Sequence, residues 1–196
     1  MDQKRLALKN IINQIHPIDN IIFDLFFSKC FLISLKKGTT ILNVGEQDNN
    51  LRFVLKGVVK SYRIVNTKSN STKESINWIV DEGNVACSVV SLFSRKVSTE
   101  YLETIEDTEL LNISFNDLND LIESHPSICR LINKWCIDYL LMFDKRVELY
   151  RHTKPEQRLQ LFINSKPQLL NRLSKKEIAG YLDITPGTLS GAYHKI

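Results

Sequence analysis

Residues 126–152 read PSICRLINKWCIDYLLMFDKRVELYRH. Apolar side chains recur at Ile128, Ile132, Trp135, Tyr139, Met142 or Phe143, Val147 and Tyr150. These steps of three and four match the α-helical period. Pro126 suits a first helical position, where no intrahelical donor is lost, and no proline follows until Pro155. The stretch therefore predicts one helix, roughly 40 Å long at a rise of about 1.5 Å per residue. Leu131, Leu140 and Leu141 widen its apolar surface beyond one narrow stripe, which calls for two burial partners: the amino-terminal domain and a second copy of the chain. Ile128, Ile132, Trp135, Tyr139 and Met142 are the expected dimer contacts.

Upstream of this helix the texture is β-like. After a helix over 4–15 and a second one capped by Asp19 and running to Phe27, residues 30–64 alternate in short apolar runs punctuated by Gly38, Gly45 and Gly57. A polar hairpin tip is expected at 66–75, a strand at Ile76–Val80, a turn at Asp81-Glu82-Gly83, and a short helix within 84–99. Strands at 101–105 and 109–113 then flank the turn Glu106-Asp107-Thr108, and Ser114 caps a helix leading to Pro126. Short antiparallel strands with glycine turns indicate a jelly roll.

Downstream, Thr153, Pro155 and Glu156 signal a helix start, and Ser174-Lys175-Lys176-Glu177 has the form of a capping box. Thr185-Pro186 caps another short helix just beyond. Two short capped helices across a three-residue turn, with small Ala179 at the crossing, predict a helix-turn-helix. The fold class is thus α+β, in three parts: a jelly-roll sensor domain over 1–125, a long linking and dimerising helix over 126–152, and a helix-turn-helix domain over 153–196.

Composition supports a protein that folds in water, with 43% hydrophobic and 24% charged residues. The amino terminus is amphipathic, unlike a signal peptide, so the expected compartment is the cytoplasm, with no membrane association. The formal charge of +4 is unevenly spread. From Lys145 onward ten Lys and Arg face four Asp and Glu, a net of +6, and the rest of the chain carries −2. A basic carboxy-terminal quarter suits a polyanion such as DNA. The four cysteines, Cys30, Cys87, Cys129 and Cys136, lack metal-site spacing and are expected as reduced thiols, with no metal bound. No histidine lies between His16 and His125, and no phosphate loop, dinucleotide fingerprint or nucleophile elbow occurs, so catalysis is not expected.

Taken together, Lys37-Gly38, Gly45-Glu46, the run Phe53 to Lys60, the Gly83 turn, Leu102 to Asp107, and Leu173 to Ser190 resemble the Crp/Fnr family of bacterial transcription regulators. Ile184-Thr185-Pro186 resembles the opening of the last helix in one branch of that family. The resemblance implies a jelly-roll sensor, a dimer helix, and a winged helix-turn-helix that binds palindromic DNA as a homodimer. An effector in the jelly roll would then re-space the two DNA-reading heads.

Two departures fall on functional positions. Cyclic-nucleotide-binding members supply a glutamate for the ribose and an arginine for the cyclic phosphate, and those positions fall here on Ser88 and Ser98. Losing the planar bidentate partner disfavours cyclic AMP. Gly83, Asn84, Ser88, Lys96, Ser98 and Thr99 remain as an effector pocket for a small anionic or nucleotide-like ligand, with Arg95 as a substitute cation. The positions that present base-reading side chains in the family fall on Pro186, Gly187 and Gly191. Lys175, Lys176, Thr185, Thr188, Ser190, Tyr193, His194 and Lys195 are left as DNA contacts, mostly to the backbone. The competing expectation is a sensor or scaffold dimer that has lost sequence-specific reading.

Overall fold

A computed structural model describes residues 2–66 and 71–196. Positions 67–70 of the expected hairpin tip lie outside the described residues. The chain divides into two compact units, residues 1–61 with 79–138, and residues 62–78 with 139–196.

The first unit begins with α1 (Asp2–Ile15) and α2 (Asn20–Ser28). The Asp19 carboxylate accepts from the Ile21 amide at 2.7 Å and so starts α2 as its sequence predicts. Strands β1 (Cys30–Leu35), β2 (Thr40–Leu42), β3 (Asn50–Lys56), β4 (Val59–Asn66), β5 (Thr72–Val80), β6 (Val85–Ala86), β7 (Tyr101–Thr104) and β8 (Thr108–Ser114) follow, with α3 (Val89–Ser94) between β6 and β7. They form two four-stranded sheets, ordered β1-β8-β3-β6 and β2-β7-β4-β5. Every neighbour in the first sheet is antiparallel, with Leu32 and Phe53 both opposite Leu111. The crossovers in this strand order make the sandwich a jelly roll.

Residues 105–107 pass the chain from one sheet to the other, so β7 and β8 do not pair as a hairpin. Gly57 makes this crossing possible. Its φ is +99°, and a Cβ there would lie 2.7 Å from the Thr108 Cα and 2.9 Å from the Asp107 carbonyl oxygen. The Asp107 carboxylate accepts from the Lys37 amide at 3.0 Å and from Lys36 Nζ at 2.7 Å. That hydrogen bond with Lys36 holds its pKa below the usual carboxylate range.

Ser114 caps α4 (Phe115–Ser124) by accepting from the Asp117 amide at 3.1 Å. His125 ends α4, and α5 (Pro126–Arg151) runs unbroken for 26 residues. Its first turns enter a core shared with Leu8, Ile12, Phe23, Phe26, Phe53, Leu92 and Leu111. Burial of each such side chain contributes about 1.5–3 kcal/mol. Ile128, Ile132 and Trp135, expected at a dimer contact, belong to this core, and Tyr139 and Met142 are half-buried. Helical period defines a stripe but not the partner that covers it. The outward apolar residues are instead Ile137, Leu140, Leu141, Phe143, Val147 and Tyr150.

The second unit holds the rest of α5, α6 (Pro155–Ser165), a 3-10 turn at Pro167–Leu169, α7 (Lys175–Leu182) and α8 (Pro186–Tyr193). Lys154, not Thr153, is the residue that precedes α6, and it supplies no side-chain cap. Among the described residues no strand lies within 153–196, so the wing that the resemblance implies is not found there. The outer parts of β4 and β5 belong to this unit instead. Gly180 permits the approach of β5 to α7, since a Cβ on it would lie 3.1 Å from the Glu74 carbonyl oxygen. Leu159, Phe162, Leu169, Ile178, Leu182 and Leu189 are buried.

Candidate functional site

The segment between β6 and β7, where the sequence places an effector pocket, is built around a buried ion pair. Asp48 is fully buried and Arg52 nearly so. Two guanidinium nitrogens reach the two carboxylate oxygens at 2.9 and 3.1 Å, the bidentate geometry that suits arginine. The same carboxylate accepts from the Ser88 amide at 2.8 Å, and the Asp48 amide donates to Ser91 Oγ at 2.9 Å. Ser91 Oγ donates in turn to the Lys96 carbonyl at 2.6 Å. The loop is thereby tied to Asp48, just before β3.

Ser88 and Ser98 are buried and both engage Glu100. Ser88 Oγ donates to the Glu100 carboxylate at 2.7 Å, and Ser61 Oγ donates to its other oxygen. Ser98 Oγ donates to the Glu100 carbonyl at 2.7 Å and accepts from the Glu100 amide at 3.1 Å. The structure thus brings Ser88 and Ser98 together, but around a carboxylate that sequence reasoning missed. Serines buried in the segment between β6 and β7 must find acceptors, and an acidic residue two positions after Ser98 was the available signal.

The other pocket candidates are placed differently. Lys96 and Thr99 are exposed. Gly83 takes a φ of +84° and donates to the Val54 carbonyl at 3.0 Å, while the Asn84 amide is spent on the Asp81 carboxylate at 3.0 Å. Arg95 is no substitute cation for the loop. It adopts φ +59°, donates to Asn49 Oδ1 at 2.7 Å and to the Asp48 carbonyl at 3.1 Å, and stacks 4.0 Å over the Phe115 ring.

In the second unit, Ser174 and Glu177 form the reciprocal capping box, with bonds of 3.2 and 2.6 Å. Asp183 ends α7 at φ +53°, and Thr185 caps α8 by accepting from the Thr188 amide at 3.1 Å. These caps place two short helices across a tight turn. Of the expected DNA contacts, Lys175, Tyr193 and His194 are exposed. Thr185 and Thr188 hydroxyls bond each other at 2.9 Å, and Ser190 Oγ donates to the Pro186 carbonyl at 3.1 Å. Lys176 pairs with Glu74 at 2.7 Å and Lys195 with Glu156 at 4.0 Å. Gly187 and Gly191 are exposed, and a Cβ at Gly191 would meet nothing within 4 Å.

Burial pushes the Cys30 thiol up to about 12 and the Cys87 thiol well above its ordinary value, so neither is a ready thiolate. Among the described residues no group of three His, Cys, Asp or Glu side chains converges to hold a metal ion. Among them too, no helix is long and apolar enough to cross a membrane.

Residues 32–125 match the cyclic nucleotide-binding domain family. No curated protein matches the sequence. Solved structures do. A putative cAMP-binding regulatory protein from Silicibacter pomeroyi is 20% identical, with a TM-score of 0.64, over 100% of this chain and 88% of its own. The c-di-GMP responsive global regulator CLP of Xanthomonas campestris is 16% identical, with a TM-score of 0.69, over 90% and 91%. A putative transcriptional regulator of the Crp/Fnr family from Eubacterium rectale is 13% identical, with a TM-score of 0.69, over 91% and 83%. Residues 32–125 are thus similar to the cyclic nucleotide-binding domain family, and over nearly its full length the chain has the fold seen in these Crp/Fnr-type regulator structures.

Proposed function

We propose that this chain is a cytoplasmic, DNA-binding transcription regulator that works as a homodimer through α5, and that its sensor domain takes no cyclic phosphate. The observation that carries the DNA reading is the capped pair α7 and α8, with Lys175 at the start of α7 and the outer face of α8 open to solvent. Helices so joined fit a major groove, and the basic quarter that contains them attracts phosphates. The domain limits read from the sequence, 1–125, 126–152 and 153–196, are retained as the proposed functional parts.

The outer face of α8 offers Thr188, Gly187 and Gly191 in place of arginine or glutamate. A glycine cannot donate to a base edge. Affinity then comes mainly from the phosphate backbone, with weak sequence preference. Filter binding of the protein's own upstream DNA and of random duplex, repeated across salt, tests this. We expect similar affinities for both and a steep fall with salt, and a large preference for one sequence at high salt contradicts it. The open glycines also favour the scaffold reading, which predicts no retention of either duplex beyond that of an acidic control.

The second half of the proposal rests on Glu100. A cyclic phosphate placed between Ser88 and Ser98 meets a fixed carboxylate where a guanidinium is required, and like charges repel. Titration calorimetry with cyclic AMP and cyclic GMP is expected to show no binding up to the millimolar range. Micromolar affinity for either nucleotide contradicts the assignment.

A further inference from the structure

The second unit contains an ionic clasp that the DNA reading does not use. Lys73 and Glu74 are neighbours on β5, and each pairs with a different end of α7. Glu74 Oε1 accepts from Lys176 Nζ at 2.7 Å in the first turn, and Lys73 Nζ reaches Asp183 Oδ1 at 2.6 Å beyond the last. The charges are crossed, so the strand fits the helix in one direction only. Between the two pairs the backbones are close. A Cβ at Gly180 would lie 3.1 Å from the Glu74 carbonyl oxygen and 3.3 Å from the Ile76 side chain. Beyond them, Arg146 of α5 stacks 3.6 Å over the Tyr181 ring of α7 and donates to the Ile76 and Asn77 carbonyls at 2.7 and 3.2 Å. Strand β5 is therefore held by α5 and α7 together.

Lys176 sits where a phosphate-binding lysine of a helix-turn-helix is expected, and a carboxylate already occupies its ammonium. We propose that Glu74 is a built-in competitor of DNA phosphate, so that the β4–β5 hairpin attenuates DNA binding by the helix-turn-helix and is released from α7 when DNA takes Lys176. This rests on the DNA-binding reading and adds its regulation. The lysine side chain is 71% exposed and the glutamate 21%, so Lys176 can leave while Glu74 stays on the strand. An exposed pair of this kind is weak, and the hairpin therefore modulates affinity rather than blocking it.

Anisotropy titrations of a random duplex at low salt test the proposal with Glu74→Gln, Lys176→Gln and the double variant, each checked for an unchanged urea midpoint of α-helical signal. Glu74→Gln is expected to bind about two- to fivefold more tightly, because the competitor is gone. Lys176→Gln should bind more weakly, with a salt slope reduced by about one unit. The double variant should match Lys176→Gln, because the competition requires that lysine. Hydrogen exchange of 72–78 should quicken when the wild-type protein is saturated with duplex. If Lys176→Gln weakens binding but Glu74→Gln does not strengthen it, the competition is refuted and the DNA reading stands. If no form retains duplex, the DNA reading itself fails and the competition falls with it; the two failures are told apart by whether Lys176→Gln has any affinity to lose.

Discussion

Replacing Asp48 by alanine is expected to destabilise the first unit by about 3–5 kcal/mol, the largest effect of any single substitution considered for that unit. The cost is asymmetric. Arg52 lies 4% exposed, and its guanidinium depends on the two Asp48 oxygens and one further bond, to the Asn50 carbonyl at 2.9 Å. Removal of the carboxylate leaves a buried cation without its counter-charge and strips the acceptor from the Ser88 amide. A buried pair need not stabilise relative to an apolar one, but half of a pair costs heavily. Asp48→Leu with Arg52→Leu should therefore recover much of the loss, and Asp48→Asn should fall between. Urea unfolding followed by the fluorescence of Trp78 and Trp135 measures all three. A loss below about 1 kcal/mol for Asp48→Ala would mean that the loop is not anchored by this pair.

The second large effect concerns assembly. Leu140 and Leu141 are 64% and 57% exposed on α5, beside Ile137 and Phe143, which are also more than half exposed. Four such side chains in water on one helix are costly unless covered, and each leucine buried contributes about 1.5–3 kcal/mol. A second copy meeting the first along this face would supply the cover. Leu140→Glu combined with Leu141→Glu is expected to weaken that association by about 4 kcal/mol, or about a thousandfold in dissociation constant. The fold itself should be spared, because both side chains already point to solvent. Unaltered assembly with a native circular dichroism spectrum would remove α5 from the interface.

Local rules read the elements well. Asp19, Ser114, Ser174 and Thr185 start helices through their side-chain oxygens, as their sequence context suggests. Gly38, Gly45, Gly57 and Gly83 all hold positive φ at the turns that punctuate the strands. Pro126 and Arg151 bound α5 within a residue of the quoted stretch. These signals are legible because the physics acts within four or five residues.

What could not be read depends on partners distant in sequence. Period alone marked Ile128, Ile132 and Trp135 as apolar, but only the fold shows that the jelly-roll helices cover them. The Ser61 bond to Glu100 spans 39 residues, and the Lys176 bond to Glu74 spans 102. An exposed-looking glutamate after Ser98 and a polar strand before Ile76 gave no local sign of either bond. The substitutions at Ser88 and Ser98 were plain, and the carboxylate that now stands between them was not.

Pairing through α5 is tested most directly by sedimentation equilibrium of the wild-type protein at micromolar concentration. We predict a mass twice the 22.7 kDa of one chain. A single-chain mass, unchanged up to the highest soluble concentration, would contradict the account, because nothing would then cover Ile137, Leu140, Leu141 and Phe143 or bring two helix-turn-helix units to one DNA site.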